Sequence, residues 1–186
     1  MARRIVQVIL ITFASLSLPS PAQSSAGPVA GGQNCRSAPD FAVKTAIAGE
    51  PVQPQAGKAL VYFFASTLDF PTLNREPVVR FSVDGNWVGA ARGGSYFYFF
   101  VEPGVRHLCA SVQPAVFYGS ANAVAAAHFV AEAGKVYSFE AVATAWWRDN
   151  NSTFSLTLGQ MDSDEGELLR SSYEFATWQV KKKETH

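Results

Sequence analysis

The chain has little of what most catalytic and nucleic-acid-binding proteins display. Of 186 residues only two are cysteine and three are histidine; charged side chains make up 16%, and the formal net charge is zero. So small and balanced a charge leaves no basic footprint for nucleic acid, and Lys181-Lys182-Lys183 reads as a solvated tail. Scattered cysteines and histidines do not supply the close-spaced donors of a zinc site, so neither a metal nor a cofactor is expected. Asp162-Ser163-Asp164-Glu165-Gly166-Glu167 looks superficially like a calcium loop, but its glycine comes one position early and Tyr173 stands where the bidentate acid belongs.

Nucleophilic catalysis needs a serine or cysteine beside a base, most often histidine near neutral pH. His186 is the last residue printed, His128 lies in an apolar stretch, and Gly119-Ser120-Ala121 lacks the second glycine of a nucleophile elbow. Each histidine, His107 included, is read as structural, and no catalytic residue is assigned. Glu102, Glu132 and Glu140 could pair as glycosidase acids, but Glu102 and Glu132 adjoin turns, where carboxylates are normally just solvated.

Long apolar runs are confined to the start. Met1 to Ala22 has a basic opening at Arg3-Arg4, an apolar run from Ile5 to Leu18 and a small-residue Ser-Pro-Ala end, the three parts of a secretory signal peptide. Cleavage is expected after Ala22, with Ala26 as the alternative. The run falls short of the roughly twenty residues of a membrane span, and no later segment offers one. Removing the leader takes away two arginines and no acids, so thirteen basic residues remain against fifteen acidic, formally −2. Export to the periplasm or outside the cell follows, and an oxidising compartment favours a disulfide between Cys35 and Cys109.

What the chain does have is apolar and aromatic mass, 48% and 13% of its residues. Val83 to Leu108 concentrates the signal. Asp84-Gly85 supplies the positive φ angles of a tight hairpin between Val78–Val83 and Trp87–Ala91. Arg92-Gly93-Gly94 makes a second turn, and Tyr96 to Val101 is so uniformly apolar that it must be covered on both faces. Pro103-Gly104 ends that strand and Val105 to Val112 forms the next, in the spacing of an antiparallel meander.

Around this centre the chain divides into a Gly/Pro/Ala-rich arm from Gln23 to Gly57, a domain over 58–180 and a basic tail over 181–186. Ala59–Ser66, Ala123–Glu132, Val136–Trp147 and Ser152–Leu158 read as further strands, with loops at Thr67–Glu76 and Gln113–Asn122. Asp162 and Glu165 are spaced as a capping box for a short helix to about Ser172, and Tyr173–Val180 is either a last strand or a packing arm. Seven or eight strands exceed what one uncovered sheet can bury, so the expected class is all-β: a two-layer antiparallel sandwich with a short C-terminal helix.

Gly57-Lys58-Ala59-Leu60-Val61-Tyr62, Val83-Asp84-Gly85 with Gly89, Gly94-Ser95-Tyr96-Phe97, Val101-Glu102-Pro103-Gly104 and Ala133-Gly134-Lys135-Val136-Tyr137 occur in that order. Over residues 57 to 175 this resembles the bacterial domain-of-unknown-function family 2846. The resemblance implies an exported β-sandwich domain of the cell envelope with no assigned activity and no catalytic residues to carry over. Two departures stand out: Ala65 where the family usually has an arginine, and one extra residue between Pro103-Gly104 and His107. That residue either makes a bulge or moves His107 to the opposite face.

The feature with functional promise is aromatic. Trp146 and Trp147 end a strand beside Arg148, and adjacent strand residues point to opposite faces, so one indole is left near the surface. With Arg148, and with Trp87 or Tyr118 near, it would stack on a sugar or anchor a protein; the alternative is rim packing under the C-terminal arm. The expected function is a non-enzymatic binding or structural module for a protein or glycan of the cell envelope. The alternative is a small extracytoplasmic hydrolase or carbohydrate-active enzyme.

Overall fold

A computed structural model describes residues 35, 37–47, 51–68, 76–113, 123–148 and 151–182, with backbone only at 146–148 and 151–153. The signal peptide over Met1–Ala22, Tyr118 and His186 lie outside the described residues.

Among the described residues, ten strands and one helix follow in order: β1 (Phe41–Ala46), β2 (Ala59–Leu68), β3 (Val78–Val83), β4 (Asn86–Arg92), β5 (Ser95–Val101), β6 (Gly104–Val112), β7 (Val124–Ala131), β8 (Val136–Arg148), β9 (Asn151–Met161), α1 (Ser163–Ser172) and β10 (Glu174–Val180). They form a six-stranded sheet, β1-β10-β5-β2-β8-β9, packed on a four-stranded sheet, β4-β3-β6-β7. The all-β sandwich with a short C-terminal helix is therefore what the chain builds. No helix among the described residues is long and apolar enough to cross a membrane.

Three details depart from the sequence expectation. The strand count is higher because Phe41–Ala46, inside the expected arm, pairs antiparallel with β10 from Phe41↔Val180 to Ala46↔Phe175. That pairing also makes Tyr173–Val180 a strand rather than a loose arm. Second, two ladders run parallel, β2 with β8 and β10 with β5, so the large sheet is mixed rather than purely antiparallel.

Third, Val78 to Val112 is not a continuous meander. Strand β3 pairs with β4 and β6, while β5 crosses to the other sheet and pairs with β2 and β10. The turn at Gly93-Gly94 is thus a corner between sheets. A strand reading Tyr96-Phe97-Tyr98-Phe99-Phe100 has no polar face to give to water, and the interior of the large sheet covers both faces along much of its length. The expected coverage of both faces fails in the second half of the strand, where Phe99 is 38% exposed and Tyr98 and Phe100 are half-buried, before Val101 is buried again.

Strand β2 shows how both faces are filled. Val61, Phe63 and Ala65 point between the sheets, where the Phe63 ring lies 5.1 Å from Phe81 and 5.3 Å from Phe97. Leu60, Tyr62 and Phe64 point outward into a second cluster with Tyr96 and Met161, flanked by Leu169 and Tyr173. Helix α1 lies against that outer face. Asp162 caps it by accepting the Glu165 N–H at 2.8 Å, and Gly166 sits so close to Ser138 that any side chain there would collide with it. At the helix end, the Ser66 hydroxyl donates to the Glu140 carboxylate and bonds the Tyr173 hydroxyl at 2.8 Å, fixing this corner to β2 and β8.

Candidate functional site

The arm covers part of the outer face of the four-stranded sheet. Cys35 and Cys109 form a disulfide, with Cα atoms 5.8 Å apart across a sequence separation of 74. From there the arm runs over the outer face of the four-stranded sheet: Trp87 Nε1 donates to Ser37 O at 3.1 Å and Arg80 Nη1 to Ala38 O at 3.4 Å. Gln113 then holds β1 through both halves of its amide. Its Oε1 accepts the Phe41 N–H at 2.7 Å, and its Nε2 donates to Phe41 O at 3.1 Å.

Arg80 is the residue that sequence reasoning missed. In an alternating strand it looks solvated, yet it is only 5% exposed, because the arm passes over it from some forty positions away. Its guanidinium donates to Ser111 Oγ at 2.6 Å and Val112 O at 3.1 Å, lies 3.6 Å from Asp40 Oδ1, and sits 5.9 Å above the Trp87 ring. Burial pushes its pKa down and Asp40 partly restores it. These contacts secure the arm.

Beyond Cys109, no described residue of the arm lies over the outer face of β6 and β7. The antiparallel register sets Val105 opposite Val130 and His107 opposite His128. Val105 is 57% exposed and Val130 60%, neighbours on one face. The two imidazoles lie 6.4 Å apart between ring centres, tilted by 35°. His128 is exposed, and the His107 side chain retains 43% of its accessible surface. Strand β6 pairs with β3 and β7 without a register shift, so neither ladder carries a bulge, and His107 lies on the face opposite the core-facing Leu108.

Asp84, in the hairpin turn with φ 50° followed by Gly85 at φ 81°, reaches back to this strand. Its Oδ1 accepts the His107 N–H at 2.9 Å and its Oδ2 accepts from Arg106 Nη1 at 2.8 Å. Arg106 also donates to Glu102 O and Pro103 O, so two turns from different sheets are tied together. Burial raises the Asp84 pKa, but the His107 N–H and the Arg106 guanidinium outweigh it and hold the carboxyl below its ordinary value. A carboxyl depressed in the fold contributes stability above its unfolded pKa of about 4 and loses it as pH falls through the folded value. Asp84→Asn keeps a residue that tolerates positive φ and removes only the charge. Its expected cost at pH 7 is about 0.5 to 1 kcal/mol, as for a partly screened pair, shrinking towards zero at an acid pH below the folded value. Urea unfolding at the two pH values reads this difference; an equal deficit at both would remove the ionic account.

Two concavities lie among the described residues. One of about 400 Å³ opens between α1 and the large sheet beside Tyr62, Ser138, Met161 and Arg170. Burial pushes the Tyr62 phenol pKa up, while Arg170 is bound by Glu167 at 2.5 and 2.9 Å. The other, about 200 Å³, lies beside Asp84, Phe99, Glu102 and Arg106. Among the described residues no group of three or more His, Cys, Asp or Glu side chains stands ready to hold a metal.

The aromatic surface expected from the sequence is only partly placed. Trp146, Trp147 and Arg148 pair in backbone register with Thr153, Ser152 and Asn151 at the tip of the β8–β9 hairpin. Their side chains, and all of Tyr118, lie outside the described residues. No family model matches the chain, and no curated protein matches it either.

Proposed function

We propose that this chain is an exported, non-enzymatic β-sandwich module of the family-2846 type, which binds a protein or glycan of the cell envelope through the outer face of β6 and β7. The observation that carries this reading is the apolar pair Val105 and Val130, both more than half exposed, beside paired histidines on the outer face of β6 and β7. Exposed valines on a flat strand pair supply desolvation energy to a partner, and the imidazoles supply hydrogen bonds.

The disulfide and the leader-like start of the sequence support export. The hydrolase alternative needs a base in a pocket. His107 Nδ1 is 3.8 Å from Asp84 Oδ1, beyond hydrogen-bond reach, on an open sheet face, and that carboxylate is already engaged by Arg106.

The test is capture of envelope partners by immobilised protein, comparing wild type with a Val105→Glu/Val130→Glu variant whose folding is checked by circular dichroism. Recovery of the partner should fall at least tenfold, as for a central contact residue. Undiminished recovery would remove this face, and loss confined to Trp147→Ala would move the contact to the β8–β9 tip.

A further inference from the structure

The geometry points to a transition-metal site at the His107–His128 pair, binding a borderline divalent ion such as Zn²⁺ or Cu²⁺ through both imidazoles. Directly opposed strand residues present their side chains side by side on one face, and here the opposed residues are two exposed histidines with ring centres 6.4 Å apart. Two imidazoles sharing a tetrahedral ion, at a metal–nitrogen distance of about 2 Å, place their ring centres about 5 Å apart. The pair therefore needs to close by roughly 1 Å, which small rotations of exposed side chains achieve without moving the backbone.

A second observation comes from Asp84. Metal-binding histidines commonly turn the nitrogen that does not bind metal toward a carboxylate, which fixes the ring and raises its basicity. Asp84 Oδ1 stands 3.8 Å from His107 Nδ1, held there by the His107 N–H and, through Oδ2, by Arg106. An ion on Nε2 leaves Nδ1–H on the side of that carboxylate, and the ring rotation that closes the pair must also bring it from 3.8 Å into hydrogen-bond reach. Arg106, next to His107 in the chain, is bound to the same carboxylate at 2.8 Å, which reduces its repulsion of an incoming ion.

Imidazole ligands suit zinc, copper and nickel over magnesium or calcium. Two protein ligands leave coordination positions for water, or for a donor from a molecule seated on the valines beside the site. The inference concerns the protein alone and holds whether or not the face binds a macromolecule.

Untagged full-length chain with its disulfide intact is titrated with Zn²⁺, and separately with Cu²⁺, by calorimetry, alongside His128→Gln, Asp84→Asn and His186→Gln. The expected result is saturable binding by wild type that weakens at least tenfold in His128→Gln and more modestly in Asp84→Asn, with His186→Gln unchanged. In proton NMR, substoichiometric Cu²⁺ should broaden the His107 and His128 ring signals together. Wild type without saturable binding at millimolar ion, or His128→Gln binding as tightly as wild type, would overturn the site.

Discussion

Replacing both Cys35 and Cys109 with alanine lowers the thermal unfolding midpoint by roughly 8 to 15 °C. The bridge spans a separation of 74, and closing a loop of that size is worth about 4 to 5 kcal/mol in the chain-entropy picture. A chain of this length loses about 2 to 4 °C per kcal/mol, and residual structure in the unfolded chain keeps the shift toward the lower part of that product. The effect is global because the arm is not merely tethered. Trp87 and Arg80 hold its backbone, Gln113 holds Phe41, and β1 adds a ladder to β10. Releasing Cys35 therefore loosens the start of a strand that belongs to the large sheet. Scanning calorimetry of the double variant against wild type measures the shift; a midpoint within about 2 °C of wild type would show that the bridge decorates the fold rather than supporting it.

Phe63→Ala and Phe64→Ala should each cost about 3 to 5 kcal/mol, with different consequences for the molecule. Both rings are fully buried, but they are neighbours on one strand and so face opposite sides. Removing Phe63 opens a void between the two sheets, among Phe81, Phe97 and Phe139. Removing Phe64 opens one on the outer face beside Tyr96 and Tyr173, where the end of α1 meets the sheet. Urea unfolding gives the two free energies. Amide exchange separates them: Phe63→Ala should speed exchange in strands of both sheets, whereas Phe64→Ala should first release the amides of Leu169 to Tyr173. A cost below about 1.5 kcal/mol for either would mean that the site collapses around the loss or was never closely packed.

The sequence made local structure legible because local structure has local causes. Asp84-Gly85 declares its turn through the φ angles it tolerates, and Asp162 and Glu165 declare a helix start through cap spacing. The two-faced burial of β2 was equally readable, since Ala59 to Ala65 offers water no polar side. Pairing between distant segments was not. Nothing in Phe-Ala-Val-Lys-Thr-Ala says that its partner lies beyond residue 170, so β1 was hidden in a stretch whose composition suggested an arm. Nothing in Tyr96 to Phe100 says which sheet receives it, although its lack of a polar face pointed to a strand buried on both sides.

The candidate site was hidden for the same reason. His107 and His128 each look isolated in the chain, and only the β6–β7 register sets them opposite one another. Arg80 looks solvated until the arm lies over it. The two cysteines were the exception, because their scarcity in a chain with a leader-like start narrowed the pairing to a single choice. The aromatic tip at Trp146 and Trp147 was singled out for its composition, and its backbone register agrees with a place at the end of a hairpin.

Export and closure of the sandwich by its arm are tested together by peptide mapping by mass spectrometry, without reductant, of the protein recovered from the cells that make it. The expected result is an amino terminus at Gln23 or Gly27 and a linked peptide pair joining Cys35 to Cys109. An intact Met1 with both cysteines open to alkylation would contradict it.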